Sequence, residues 1–307
     1  MRAVLLGVVL ALAASCLSIL LASPKEVEAS FPGKNGLIAF SNDLDGDDEI
    51  FKMNPDGSNQ KQLTHNSTFD WDPVWSPDGT KVAFHRYGKI FVKDTTNGQV
   101  VRLTDDSGIR SFNPTWSPDG TKIAFSSTRS GGYAEIYTMN SADGSELQKL
   151  TNNPLGGGSQ GDGWPTWSPD GTKIAFTSAL STHEIYVMNA DGTNQRPLSN
   201  TLDQNELDPD WSPDGTRIAY ERDNDIWVMK ADGTGQVNVT NSPEVSEHGP
   251  AWSPNGRKIV YSVSVESSSS NVHDIWIMNA DGTNAKNVTN TPGTSEFLPS
   301  WQPVLTP

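Results

Sequence analysis

The sequence predicts an all-β fold, a six-bladed β-propeller of four-stranded antiparallel blades whose ring is closed by the C-terminal strand completing the N-terminal blade. Three observations carry this expectation. Trp75-Ser-Pro-Asp-Gly79 recurs at 116–120, 167–171 and 211–215, and at 252–256 with Asn in place of Asp. A second motif follows each copy at a distance, as Glu-Ile-Tyr-Thr-Met-Asn at 135–140, Glu-Ile-Tyr-Val-Met-Asn at 184–189, Asp-Ile-Trp-Val-Met-Lys at 225–230 and Asp-Ile-Trp-Ile-Met-Asn at 274–279. Successive Trp positions, 75, 116, 167, 211, 252 and 301, are 41, 51, 44, 41 and 49 residues apart. Short β signals recurring at this period are the signature of propeller blades.

Residues 164–198 show how one blade is built. Pro165-Thr-Trp167 is a short extended run, with Pro where a missing donor is tolerated. Ser168-Pro-Asp-Gly171 is a tight turn, because Pro pre-sets the first central dihedral and Gly accepts a positive φ. Lys173 to Thr177 alternates as a second strand, and Glu184 to Met188 is a third, rich in β-branched and aromatic residues. Asn189-Ala-Asp-Gly192 turns the chain into a fourth, outer strand ending at Leu198. The periodic Trp residues are expected to pack between blades, together with the Ile and Met of the third strand. A Trp buries roughly 150–250 Å², so Trp167→Ala is expected to cost the fold.

The ends predict the closure. Phe31 to Phe40 carries a second-strand motif with no Trp strand before it, and Leu298-Pro-Ser-Trp301 carries a first strand with nothing after it. Joining them in one blade leaves no open edges. Residues 1–29 stand outside the repeats. Arg2 followed by the apolar run to Ala22 reads as a secretory signal peptide cleaved after Ala22 or Ala29, or as an uncleaved anchor. The only cysteine, Cys16, follows Ala13-Ala14-Ser15, which lacks the Leu of a lipobox. Residues 30–307 therefore have no disulfide and no thiolate metal site. The expected organisation is a signal segment at 1–29 and one propeller domain at 30–307, secreted or periplasmic, as a monomer.

The formal net charge is −15 and no Lys/Arg-rich run occurs. Such a surface argues against nucleic acid and against anionic membrane as partners. A membrane contact is expected only through the N-terminal segment.

Loop composition indicates which face works. The turns after the first and third strands are nearly identical in every repeat, whereas the loops after the second and fourth strands vary. A meander places both variable sets on one face, and variable loops on a rigid scaffold are where binding resides. The partner-binding candidates there are His65, Phe69, Asp70, Trp71, Asp72, Arg110, Phe112, Asp162, Trp164, Glu247, His248 and Phe297. Trp71 and Trp164 are the non-periodic aromatics among them, and aromatics with Arg are the usual hot-spot residues. A second role for these aromatics is to plug the channel mouth.

Other constellations have two readings each. Asp43, Asp45, Asp47 and Glu49 alternate as in a calcium loop, or form a solvated acidic turn. The residue before the third-strand Ile is Glu49, Lys89, Glu135, Glu184, Asp225 and Asp274, either a cation-attracting ring or a repeated structural hydrogen bond. His85, His183 and His273 sit on loops of different blades without a short-range pair. Gly157-Gly-Ser-Gln-Gly161 matches the hydrolase nucleophile elbow but lacks its strand–turn–helix context. Asn66, Asn238 and Asn287 open Asn-x-Thr/Ser sequons.

The pair Trp-Ser-Pro-Asp-Gly-Thr-Lys-Ile-Ala-Phe and Glu-Ile-Tyr-Val-Met-Asn-Ala-Asp-Gly-Thr-Asn, spread over residues 31–303, resembles the WD-like repeat of the TolB propeller family. The resemblance implies a periplasmic or secreted propeller. In that family the TolB propeller binds the peptidoglycan-associated lipoprotein and follows an α/β domain. About thirty residues precede the first blade here, so the expectation is a propeller-only relative. The repeat also resembles the propellers that gate dipeptidyl-peptidase and prolyl-oligopeptidase enzymes. The leading functional expectation is a non-enzymatic extracytoplasmic scaffold for a protein or cell-envelope component, with no catalytic residues and no cofactor. The alternatives are a hydrolase or lyase with its site at the channel mouth, or a sensor of calcium or another ligand.

Overall fold

The computed structural model describes residues 33–304 apart from 45, 106, 153–160, 180–181, 202–203, 268–269 and 292. The signal segment, Asp45 and most of Gly157–Gly161 lie outside the described residues.

Six four-stranded antiparallel sheets form the ring. Blade 1 contains β1 (Lys34–Asn42), β2 (Glu49–Met53) and β3 (Lys61–Gln62). Blade 2 runs through β4 (Asp70–Trp75), β5 (Lys81–Arg86), β6 (Lys89–Asp94) and β7 (Val100–Arg102). Blade 3 is β8 (Ser111–Trp116), β9 (Lys122–Ser127), β10 (Glu135–Asn140) and β11 (Gln148–Lys149). Blade 4 is β12 (Asp162–Trp167), β13 (Lys173–Ala179), β14 (His183–Asn189) and β15 (Arg196–Pro197). Blade 5 is β16 (Glu206–Trp211), β17 (Arg217–Arg222), β18 (Asp225–Lys230) and β19 (Val237–Asn238). Blade 6 is β20 (Ser246–Trp252), β21 (Lys258–Ser267), β22 (Ser270–Asn279) and β23 (Lys286–Asn287). The last strand, β24 (Glu296–Val304), becomes the inner strand of blade 1, pairing with β1 in a register that sets Ile38 opposite Trp301 and Asn42 opposite Glu296.

The core is divided into six buried clusters, each assembled from two neighbouring blades. Between blades 3 and 4, for example, Ala124, Ile136 and Leu150 meet Ile174, Phe176 and Met188. Each sheet is therefore buried on both faces, which is why its central strands read as Ile-Ala-Phe and Ile-Tyr-Val-Met rather than alternating with polar residues. One expectation changes here. The third-strand Ile and Met do not share a cluster, because a spacing of three along a strand puts them on opposite faces. Ile136 packs toward blade 4, while Met139 packs toward blade 2 with Trp116. Five of the periodic Trp residues are buried, and all six also wall the central channel.

The repeated turns are structural. In Ser76-Pro-Asp-Gly79 the Ser76 hydroxyl donates to Asp78 Oδ1 at 2.6 Å, and the Thr80 N–H donates to the same oxygen at 3.0 Å. The turns of the Asn-Ala-Asp-Gly type do a second job, seating every blade but the second on the one before it. Gly192 has φ +88°, and a Cβ there would stand 2.7 Å from the Leu150 carbonyl oxygen.

Candidate functional site

Meander topology brings the two variable loop sets to one face, as loop composition predicts. The inner strand of every blade there repeats X-Pro-x-Trp. The six X residues, Asp72, Asn113, Trp164, Asp208, Gly249 and Leu298, all adopt a left-handed backbone with φ between 49° and 57°. A register irregularity accompanies each of them, between Trp71 and Val74 in blade 2 for instance. This bulge re-aims the side chain, and the six X residues form one layer of the channel wall. The channel encloses a cavity of about 210 Å³.

A second ring lies five residues before each Trp: Asp70, Ser111, Asp162, Glu206, Glu247 and Glu296. All six are buried. Each faces, across the seam, the residue before the third-strand Ile of the preceding blade. Glu49 meets Asp70, with Asn66 Nδ2 bridging to Glu49 Oε2 at 2.9 Å and Asp70 Oδ2 at 3.0 Å. Glu135 meets Asp162 near the Thr151 hydroxyl, which donates to Glu135 Oε2 at 2.7 Å. Glu184 meets Glu206, Asp225 meets Glu247 and Asp274 meets Glu296, each pair close enough for mutual repulsion. In the remaining seam Lys89 stands opposite Ser111, and Lys89 Nζ donates to the Ile109 carbonyl at 3.0 Å.

Burial, with repulsion from the facing acid, pushes the Glu49 and Glu296 carboxyls up to about 7 and raises those of Asp162, Glu206 and Glu247. Thr64, Thr104, Thr151, Ser199, Thr240 and Thr289 complete the seams, each hydroxyl accepting the N–H of the third-strand Ile at 2.8–3.0 Å. The acid ring is thus a repeated structural hydrogen-bond system, the second of its two sequence readings.

The partner-binding candidates divide accordingly. Asp70 is fully buried and holds Arg86 through two contacts of 2.6 and 2.7 Å. Asp162 receives the Ser178 hydroxyl at 2.7 Å, and Glu247 is buried in the next-to-last seam. These three are out of a partner's reach, because each is buried at a seam between blades. On the open face, Phe69 is exposed and packs at a tilt against Trp71, ring centroids 5.9 Å apart, while Trp71 packs edge-on against His85 and donates its indole N–H to Asp48 Oδ2 at 2.5 Å. Asp72 accepts Asn113 Nδ2 at 2.8 Å and lies 2.9 Å from His85 Nδ1. Arg110 and His65 are exposed, and Phe112 and Trp164 are half-buried. His248 pairs with Glu221 at 3.1 Å and sits beside His273, whose ring meets Phe297.

Of the calcium set, Asp45 lies outside the described residues. Glu49 is turned into the seam, hydrogen-bonded to the Asn66 amide and backbone, and Asp43 Oδ1 instead accepts the Ser295 N–H at 2.6 Å. Among the described residues no group of three or more His, Cys, Asp or Glu side chains is arranged to hold a metal ion. His85, His183 and His273 are held apart, by Asp72, Asn205 and Ser295 respectively. The three sequon Asn amides bind Glu49, Asp225 and Asp274.

Residues 86–305 match the family model described as the TolB beta propeller domain. The chain belongs to the TolB β-propeller family. Over 147 residues, 46% of this chain and 31% of the relative, it is 41% identical to the TolB homolog of Chlorobium chlorochromatii. The match spans about a third of that relative's length. Among solved structures, TolB from Acinetobacter baumannii superposes with a TM-score of 0.72 at 22% identity, covering 89% of this chain and 67% of that one. A putative TolB from Agrobacterium tumefaciens gives 0.67 at 20% identity, covering 87% and 99%. These two likenesses show the fold.

Sequence reasoning missed two sets of residues in this TolB-family ring. Of the inner-strand acids five residues before a Trp, Glu206 and Glu296 went unnamed, since the pattern shows no partner. Asp208, Asp210 and Glu221 carried no signal: an Asp before Pro, as at 208, reads as an ordinary turn residue, and the other two are single acids within strand motifs.

Proposed function

We propose that the protein is a non-enzymatic, extracytoplasmic binding scaffold whose variable-loop face receives a protein or cell-envelope partner. The observation that carries this reading is an arc of exposed apolar side chains, Leu44, Phe69, Tyr87 and Tyr133, in the variable loops of three consecutive blades. The other exposed large apolar residues among those described, Val100, Val101, Leu147, Val237 and Val304, lie in or beside strands. Apolar and aromatic groups gathered on one rigid face favour association with another surface. The N-terminal apolar run supports a location outside the cytoplasm. What the TolB homologs bind is a property of those proteins; for this chain a cell-envelope partner is the proposal.

Affinity capture tests it. The tagged protein is exposed to solubilised envelope from the native cell beside a Phe69→Ala/Tyr87→Ala variant of equal thermal stability. A stoichiometric protein retained by the first and lost by the second is the expected result. Identical bound material in both lanes removes the reading.

A further inference from the structure

We propose that the central channel is a receptor for an organic cation, a guanidinium or primary ammonium group, which binds Asp208 between Trp164 and the gap left by Gly249. This deepens the scaffold reading and rests on it, since the natural cation would be an Arg or Lys side chain of the partner docked on the variable-loop face.

The X layer of the channel is unequal around the ring. Asp72 and Asp208 occupy the same position in blades three apart, and so stand on opposite sides. Asp72 is satisfied by Asn113 and His85. Asp208 receives no hydrogen bond from any described residue, and its charged surroundings are dominated by acids: Glu221 from β17, Asp72 from β4 and Asp210 from its own strand. The two imidazoles nearby are taken. His248 of β20 is bound to Glu221, and His85 of β5 to Asp72. Asp210 is engaged by the Trp252 N–H at 2.7 Å and by the Thr166 hydroxyl at 3.3 Å. Among the described residues no Lys or Arg lines the channel. Asp208 is half-buried on the channel wall, and among these acids the group that complements it is a cation with N–H donors.

The cavity itself points the same way, independently of the acids. Beside Asp208 in the layer stands the Trp164 indole; on its other side Gly249 has no side chain, and a Cβ there would come 3.8 Å from Asp208 Oδ2. Leu298 and the inner-strand prolines complete an apolar wall. A cavity of about 210 Å³ is smaller than sites for drug-sized ligands and suits one side chain. An aromatic face with a carboxylate matches a guanidinium or ammonium on an aliphatic stem. A divalent metal fits less well, given that no three ligating side chains converge among the described residues.

Burial, then the charges of Glu221, Asp72 and Asp210, hold the Asp208 carboxyl well above the ordinary range. Binding a cation favours the ionised form, so association releases a proton and strengthens as pH rises.

The test uses the full chain and N-acetylarginine amide, with N-acetylcitrulline amide as the neutral isostere, by titration calorimetry at pH 6 and pH 8. Expected is saturable binding of the arginine probe, tighter at pH 8 than at pH 6, with a heat that varies with buffer ionisation enthalpy. Asp208→Asn should lose at least about tenfold in affinity. It should also keep or raise Tm at pH 8, because Asn tolerates the left-handed φ of 52° and removes the uncompensated charge. Equal binding of the citrulline probe, no binding, or unchanged affinity in Asp208→Asn overturns the proposal. So does displacement of the probe by calcium chloride that itself raises Tm only when Asp208 is present, since the site would then be a metal site. If the probe fails while Phe69→Ala/Tyr87→Ala still abolishes partner capture, the channel proposal falls and the scaffold reading stands; probe binding with unaltered capture gives the reverse.

Discussion

Asn42 and Glu296 are 254 residues apart in sequence, yet the Asn42 amide donates to Glu296 Oε1 at 3.1 Å. The contact joins the first and last strands in one sheet. Gln302 extends the clasp, its side chain accepting the Leu37 N–H at 3.0 Å and donating to the Gly79 carbonyl at 2.7 Å in blade 2. Removing residues 296–307 should therefore abolish the single cooperative unfolding transition, seen by calorimetry, instead of trimming its end. Trp301→Ala alone should cost about 3–5 kcal/mol, as a buried Trp truncation does. An unchanged Tm for the truncated chain would show that the ring does not depend on this strand.

The same glutamate gives a pH dependence. The Glu296 carboxyl goes from an ordinary 4.5 to about 7 on folding. Between those values the native state holds a proton that the unfolded chain has lost, so stability falls as pH rises through that window. Glu49 adds in the same direction over the same window. The turn acids oppose this at low pH. Asp78, Asp119, Asp170 and Asp214 are pulled below 3.8, so their stabilisation is lost as pH drops under that value. Tm should peak between about pH 4 and 5.5 and decline toward pH 8. Glu296→Gln should flatten the alkaline limb; a Tm rising steadily to pH 8 would contradict the seam account.

Gly192 and Gly98 separate two kinds of strain. Both have positive φ, but a Cβ at 98 meets nothing within 4 Å. Gly98→Ala should cost about 1–2 kcal/mol from the backbone conformation alone. Gly192→Ala should cost roughly 1–3 kcal/mol more, since the blade turn must move off the Leu150 carbonyl. Equal denaturation midpoints for the two would mean that the turns do not seat the blades.

Trp71 is not a free binding residue. Its indole holds Asp48 and packs against Phe69 and His85. Trp71→Ala should lower Tm as well as partner binding, in contrast to the fold-neutral outcome that its non-periodic position suggests. Phe69→Ala and Tyr87→Ala, at exposed side chains, should each shift stability by less than about 0.5 kcal/mol while weakening capture.

The sequence by itself determined the fold of this chain: the blade number, the strand order and turns of a blade, and the closure at Trp301. Each is written in local periodicity and repeated turn chemistry, which need no knowledge of distant contacts. It also marked the variable-loop face, because near-identical and variable loops alternate along the meander. The tertiary structure decided what each polar residue does. Asp70, Asp162 and Glu247 look like surface acids in the sequence, and only the meeting of two blades buries them opposite Glu49, Glu135 and Asp225. Asp72 and Asp208 both precede Pro and read alike, and the ring gives one a histidine and an asparagine and leaves the other facing acids. A side chain's charge state and availability depend on what stands across a seam or a channel, and those neighbours are set by how the blades pack around the ring rather than by the pattern within any one repeat.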